Sequence, residues 1–579
     1  MAKLLRFTKN YRKEVLLGPF FKFLEAVFEL LLPIYMSYLI DNGVAMNDSH
    51  YIFKTALIMI AMSVIGLACV MICQYYSSVA SQGFGTELRS ALLEKINTFS
   101  HKELDTFGTS TLITRMTNDI NQLQLALAML IRLVFRAPFL SIGSLVMAFY
   151  ISPKLAAIFL AALVLFCLVL YVMMTRTVPL YKKVQTKVDH LNTILVENLS
   201  GVRVLRAFGQ KKYSQQKMAD TTDDLARAYN RVANISALLN PATLLVMNGA
   251  TITLLYLGGV SINSGSLTQG ELLALINYLM QMLLALIVIS NLVIIFTKAA
   301  ASAERVNEVL ETEPSITNTH VDQTDKLYPK NTSYVLTFEN VSFRYTATSG
   351  LALDTLNFSL HPGESLGIVG PTGSGKSTLT QLIPRFYDPT TGTVTLFGHA
   401  LTDLPLSTLR DTIGIVPQKS ILFTGTIREN LKWGKQDATD KECWQALETA
   451  QCLDFVSTLP NKLDTMVTES GKNFSGGQRQ RLAIARAVIK KPLILILDDS
   501  LSALDYQTDL ELRQALKRDL TQTTLIIVSQ RISSVQHAEK IIVLDDGKQV
   551  ASGTHEVLIN ESETYQAIYA SQQEKEEEN

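Results

Sequence analysis

Six separate stretches of this chain are apolar over about 20 residues or more, the length an α-helix needs to cross the hydrocarbon of a bilayer. They lie at Val15–Ile40, Tyr51–Ala80, Ala126–Ile151, Pro153–Met174, Leu238–Val260 and Leu272–Phe296. In lipid every backbone polar group must be satisfied within its own segment, so stretches of this kind are expected to be membrane-spanning helices. The remainder of the 579 residues, from about residue 334, reads as a water-soluble α/β domain.

The connections fix the orientation. Asp41–His50, Ser152-Pro153 and Ser261–Gly270 are short and almost free of Lys and Arg, Lys154 excepted. Ser81–Leu125 and Arg176–Ser236 are long and polar, and the second carries Lys182, Lys183, Lys187, Arg203, Arg206, Lys211, Lys212 and Lys217. The N-terminal segment adds Lys3, Arg6, Lys9, Arg12 and Lys13. By the positive-inside rule the long connections and both termini are cytosolic. The first stretch is too long and too charged, with Lys22, Glu25 and Glu29, for a cleaved signal peptide, and is read as a retained span. Leu4–Glu14 before it is a candidate interfacial helix.

Charge and cysteine content narrow the classes further. A formal net charge of +0 gives a nucleic-acid partner no electrostatic support. Five cysteines without a paired spacing point away from disulfides and from a zinc site.

The soluble part carries a phosphate-binding loop. Gly370, Pro371, Thr372, Gly373, Ser374, Gly375, Lys376 and Ser377 match the full Walker A pattern, and Thr378 opens a helix-like run. The apolar strand Ser365–Val369 leads into the loop. Glycines let backbone N–H groups wrap phosphates, Lys376 supplies charge, and Ser377 offers a hydroxyl to Mg²⁺. A second strand, Leu493–Leu497, ends at Asp498, placed to hold Mg²⁺, and Asp499 follows. Ser475, Gly476, Gly477 and Gln478 lie 23 residues before Asp498, counted from Ser475, at the head of another helix-like run.

On these motifs the chain resembles, over essentially its full length, a half-transporter of the ABC exporters with the type IV fold. The resemblance implies an all-α six-helix transmembrane domain over 1–300, a linker over 301–333 and a cytosolic α/β P-loop ABC ATPase domain over 334–575. It implies ATP and Mg²⁺ as ligands. Tyr345 matches the aromatic that stacks on adenine, Gln418 the glutamine that touches Mg²⁺, and Ser475–Gln478 the signature that contacts ATP held by a second subunit. Ser502, Ala503, Leu504 and Asp505 match the D-loop, and Phe107–Ile120 and Leu199–Phe208 match the two coupling regions.

Two positions depart from the family. The residue after the Walker B aspartate is Asp499 where the family has glutamate, and the switch position is Gln530 where it has histidine. Gln530 can donate a hydrogen bond but cannot take up a proton near neutral pH. Together the changes resemble the degenerate-site subunit of heterodimeric multidrug exporters of bacteria. They imply a poorly hydrolytic site here and a competent site on a partner subunit, completed by this chain's signature. A homodimer in which Asp499 works slowly is the alternative.

The transported compound is the least constrained. Glu25 and Glu29 share a helical face with Lys22 and either pair with neighbouring helices or meet a cationic substrate in a water-filled path. Arg132 and Arg136 read as snorkelling to the interface. Asn248, Tyr278 and Gln281 among apolar residues are either cavity polar groups or hydrogen-bonding glue. The expected activity is ATP-driven efflux of hydrophobic or cationic small molecules across the cytoplasmic membrane. Export of lipid or peptide, import, and an ATP-gated channel or regulator remain as alternatives.

Overall fold

The structure is a computed structural model that describes residues 2–317, 333–502 and 504–577. The chain divides into two compact units, residues 1–97 with 110–312, and residues 98–109 with 313–579.

The first unit is helical. Among the described residues five helices are long and apolar enough to cross a membrane: Ser49–Asn97, Thr109–Ile151, Pro153–Ser200, Lys211–Asn263 and Gln269–Glu311. Each has 43 to 53 residues. At 1.5 Å per residue that is about 65–80 Å, more than twice the hydrocarbon thickness, so each helix runs on well beyond its apolar stretch. Arg12–Tyr38 is a sixth long helix, of 27 residues, and falls short on composition because of its charges. Its last turn passes into π-helix over Leu39–Val44. Ser152 is extended and Pro153 occupies the first helical turn after it, where its missing N–H costs nothing. Asp41 closes another connection by accepting from the Thr268 hydroxyl at 2.6 Å and the Gly270 N–H at 2.8 Å. A side chain at Gly270 would run into the Ser37 carbonyl at 2.4 Å, so the close approach requires glycine.

Two π-helical turns, Arg115–Asp119 and Leu130–Val134, interrupt Thr109–Ile151. The second carries Arg132. Its guanidinium turns onto the Ser77 and Ser78 hydroxyls at 2.9 and 3.0 Å. Arg136 reaches Glu29 at 2.7 Å and lies 3.6 Å from Glu25, which also pairs with Lys22 at 2.5 Å. The expectation that Arg132 and Arg136 snorkel is therefore corrected: both turn onto groups of neighbouring helices, and Lys22 pairs with Glu25 of its own helix. The glutamates pair internally, the first of the two readings given above.

The second unit is built on a 10-stranded sheet. At its centre Ser365–Val369 lies between the parallel strands Lys540–Asp545 and Thr524–Val528. Thr524–Val528 pairs in parallel with Ile494–Asp498, and that strand with Ile413–Val416. These strands are buried on both faces, which explains their near-continuous Ile, Leu and Val content. Leu336–Phe343, Leu353–Leu360 and Thr391–Leu396 form an antiparallel extension. The linker expected over 301–333 begins as helix, since Gln269–Glu311 continues to Glu311, and its residues 318–332 lie outside the described residues.

The segment 98–109 groups with the ATPase unit, whereas 110–120 stays with the helical one. The range expected for the first coupling region, Phe107–Ile120, straddles this division. Helix His101–Phe107 stacks His101 on Phe386, with ring centroids 4.1 Å apart, and Asp105 accepts from the Tyr387 hydroxyl. Ser100 and Glu103 close a capping box at its start.

Candidate nucleotide site

The phosphate loop follows Ser365–Val369 directly and ends at the helix Lys376–Leu382. Gly373 and Gly375 have φ of 87° and 95°, in the left-handed region, and a side chain at Gly375 would meet the Ala352 carbonyl at 2.6 Å. Lys376 folds back so that its ammonium donates to the Gly370 and Pro371 carbonyls at 2.8 and 2.7 Å, and Ser374 is buried beneath it. Burial lowers the Lys376 pKa from its ordinary value, and Asp499 and Asp498 oppose that shift. Gly370, Pro371 and Ser374 thus form the frame of the loop, and the other loop residues form its inner surface.

Asp498 ends its strand only 7% exposed. The Ser377 hydroxyl donates to it at 3.1 Å and the Thr380 hydroxyl at 3.4 Å. Burial raises its carboxyl above the usual range, although both hydroxyls pull the other way. A desolvated carboxylate beside hydroxyl oxygen, facing an ammonium, is an oxygen-donor set that suits a hard divalent cation, so these residues fit Mg²⁺.

Asp499 adopts φ 48°, a left-handed conformation that Asp tolerates better than most residues. Its N–H donates to the Val528 carbonyl at 2.9 Å, which pins the backbone to the neighbouring strand. Gln418 donates through Nε2 to Asp499 Oδ2 at 3.2 Å.

A cavity of about 350 Å³ gathers these groups. Of the positions singled out in the sequence, Tyr345, Thr372, Gly373, Gly375, Lys376, Ser377, Thr378, Gln418, Asp498, Asp499 and Gln530 all line it. The Tyr345 hydroxyl is 2.9 Å from Thr378 Oγ1, and its ring meets Tyr387 edge to face with centroids 5.4 Å apart. The signature and the D-loop stand apart from this lining. Ser475 caps helix Gly476–Val488, accepting from the Gln478 N–H, while Gln478 Oε1 accepts in return from the Ser475 N–H. Ser502 donates to the Asp499 carbonyl, Leu504 is buried, and Asp505 caps helix Tyr506–Asp519 by accepting from the Thr508 N–H at 2.9 Å. That bond holds the Asp505 carboxyl below its usual range. Ala503 lies outside the described residues.

Leu351, Ala352 and Val528 also line the cavity, and three polar or turn contributors were likewise not read from the sequence. Asp546 and Gly547 line the cavity from a hairpin with φ of 42° and 79°, and their Asp-Gly pair is a turn signal that was available. Gln572 had no such signal. From the C-terminal helix its side chain donates to the Gln530 carbonyl at 2.7 Å and accepts from the Ile532 N–H at 2.9 Å, so it bridges the loop that carries Gln530 and caps the short helix after it.

Of the residues expected around a transport path, Tyr278 needs correction. It is fully buried and its hydroxyl donates to the Leu30 carbonyl, which makes it a packing anchor between helices and not a cavity residue. Gln281 and Asn277 do line a cavity of about 570 Å³, with Met36 and Met59 on its apolar side. Gln281 Oε1 is buried there without a hydrogen-bond partner. Asn248 is exposed on Leu239–Asn263.

Comparison with known proteins fits this division. Residues 15–286 match the family model described as ABC transporter transmembrane region, and residues 353–502 the one described as ABC transporter. The uncharacterized ABC transporter ATP-binding protein YfiB of Bacillus subtilis is 36% identical over 99% of this chain and 98% of its own length. The probable multidrug resistance ABC transporter ATP-binding/permease protein YheI of the same organism is 34% identical over 84% of this chain and 82% of its own. An ATP-dependent lipid A-core flippase of Syntrophus aciditrophicus is 31% identical over 86% and 82%. Among solved structures, a bacterial Atm1-family ABC exporter with ATP bound aligns with a TM-score of 0.79 at 24% identity, covering 97% of this chain and 98% of that one, and supports the fold.

Proposed function

This chain belongs to the ABC transporters, as an exporter-type half-transporter with its own ATPase domain, and on that premise we propose that it is the degenerate-site half of a heterodimeric drug exporter of the cytoplasmic membrane. The organisation we read is a transmembrane domain over 1–300, a linker, and an ATPase domain over 334–575 on the cytosolic side.

The observation that carries the proposal is the pair Asp499 and Gln530 on the cavity that also holds Lys376 and Asp498. Lys376 and the loop N–H groups hold the phosphates. Ser377, Gln418 and Asp498 would hold Mg²⁺, which supplies charge neutralisation at the transferring phosphoryl group. Tyr345 offers a ring face to the adenine. Asp499 is one methylene shorter than the glutamate this position asks for, which withdraws its carboxylate by about 1.5 Å. A displacement of about 1 Å can cost 10²-fold in rate. Gln530 can donate to a phosphate oxygen but exchanges no proton. The site therefore binds ATP and turns it over slowly. Ser475–Gln478, with an intact helix start, would face ATP on the partner, whose own carboxylate and histidine complete the competent site.

For the transported compound, the cavity lined by Met36, Met59, Asn277 and Gln281 favours an amphipathic molecule with an apolar body and a polar group. The name of YheI points the same way. Glu25 and Glu29 already face Lys22 and Arg136, which makes them poor counter-ions for a cationic drug.

The test is Mg-ATPase turnover of the chain alone in nanodiscs, with Lys376→Ala as the blank and ATP binding measured in the same sample. Binding with turnover at the blank supports the heterodimer. Brisk turnover makes Asp499 a working carboxylate in a homodimer and sinks it.

A further inference from the structure

Helix Arg12–Tyr38 has two prolines inside it, Pro19 and Pro33. Proline has no N–H to donate, and its ring crowds the carbonyl four residues back. At Pro33 that carbonyl belongs to Glu29, which therefore loses the hydrogen bond an α-helix would give it. In a membrane-spanning segment water does not replace the bond, and a neighbouring helix has to.

The neighbour is helix Gln269–Glu311. Gln281 Nε2 donates to the Glu29 carbonyl at 3.3 Å, and the Tyr278 hydroxyl donates to the next carbonyl, that of Leu30. The two donors are three residues apart, on one face of their helix. Gln281 is not placed there for its amide oxygen, since Oε1 is buried with no hydrogen-bond partner. The acceptor opposite also fixes which end of the amide faces the first helix. The Glu29 side chain is held separately, by Arg136 at 2.7 Å. Further along, Asp41 ties the same two helices together through Thr268 and Gly270. Between the two ties lie Pro33 and Met36, both on the wall of the cavity of about 570 Å³. Met36 faces Asn277 there, with Nδ2 3.9 Å from its sulfur.

We propose that Gln281 is a positioning residue of the transport path: it supplies the donor that Pro33 withholds, and so holds the cavity-lining stretch from Pro33 to Met36 in register with helix Gln269–Glu311. Without it the Glu29 carbonyl is left unpaired in an apolar setting, and the first helix bends at Pro33 toward another donor. Such a bend carries Met36 away from Asn277 and changes the cavity wall. The consequence for transport rests on the cavity reading given above, whereas the contact between the two helices does not.

The full chain in nanodiscs, carrying Met36→Cys and Asn277→Cys, tests this when it is bridged with a short bis-methanethiosulfonate and the crosslinked peptides are quantified by mass spectrometry. Gln281→Met keeps the length and apolar body of the side chain. It should slow bridging about three-fold or more, the worth of one interhelical hydrogen bond in a membrane. Pro33→Ala returns an N–H to the Glu29 carbonyl, so in that background Gln281→Met should change the rate by less than about two-fold. A residue that only fills space, or that only touches the transported molecule, gains nothing from Pro33→Ala. Should Gln281→Met fail to insert, Tyr278→Phe removes a single hydroxyl and is compared with and without Pro33→Ala in the same way. Bridging at the native rate in Gln281→Met, or slowing that survives Pro33→Ala, would overturn the assignment. Neither result depends on a partner subunit or on which compound is transported.

Discussion

Asp499 sits at a φ of 48°, pinned by Val528, with Gln418 on its carboxylate. Lengthening it to Glu changes reach without changing the backbone anchor, so the double variant Asp499→Glu with Gln530→His is expected to raise turnover at this site by about 10²-fold, read against Lys376→Ala. Either change alone should give much less, since the two groups act on one water. Asp498 makes a pH prediction. Burial raises its carboxyl, so in the nucleotide-free protein its contribution to stability is present at low pH and lost as pH rises through the raised value. Holding Mg²⁺ needs the carboxylate. Binding of Mg-nucleotide should therefore release a proton, and affinity should fall, as the pH is lowered toward that value. Titration calorimetry in two buffers of different ionisation heat reads the released proton, and Asp498→Asn should abolish it. These residues were legible in the sequence because their chemistry is local: a glycine loop, a lysine and a serine within a few positions. Tyr278 was not, because a tyrosine in a span looks the same whether it faces a cavity or donates to the Leu30 carbonyl.

The elements that hold these residues are tuned by their ends. Ser475→Ala removes the cap of Gly476–Val488 and should cost about 1 kcal/mol of ATPase-domain stability in thermal unfolding, apart from any loss at the partner's site. Gln572→Ala releases both backbone groups that flank Arg531, and should weaken nucleotide binding by a few-fold, about 1 kcal/mol. Gln572→Glu keeps the acceptor for Ile532 but not the donor to Gln530, and should fall between the two. In the helical unit Arg136→Met leaves Glu29 without its cation and is expected to destabilise by about 3 kcal/mol, measured as loss of folded protein in detergent. Little of this was readable beforehand. The spans announce themselves by length, but the π-helical turns that place Arg115 and Arg132 have no sequence signature. The segment 98–109 shows the same limit, for only tertiary contact reveals that His101 and Asp105 are the residues that meet Phe386 and Tyr387.

For the whole molecule, the proposed pairing with a second, different subunit is what the predictions test. Co-expression with a subunit that carries glutamate and histidine at the positions of Asp499 and Gln530 should restore ATP hydrolysis, and Ser475→Ala in this chain should then abolish most of it. Drug uptake into inside-out vesicles would follow the same pattern. The helix His101–Phe107 lies in sequence between two stretches of the helical unit, yet by its contacts it is part of the ATPase unit. The gene order and the folded modules therefore do not coincide. Cutting at residue 334 to obtain a soluble ATPase removes the cover from Phe386 and Tyr387 and strands the Tyr387 hydroxyl without Asp105. A fragment made that way should be sticky and short-lived in solution, and splicing residues 98–109 back onto it through a flexible tether is the repair that its architecture asks for.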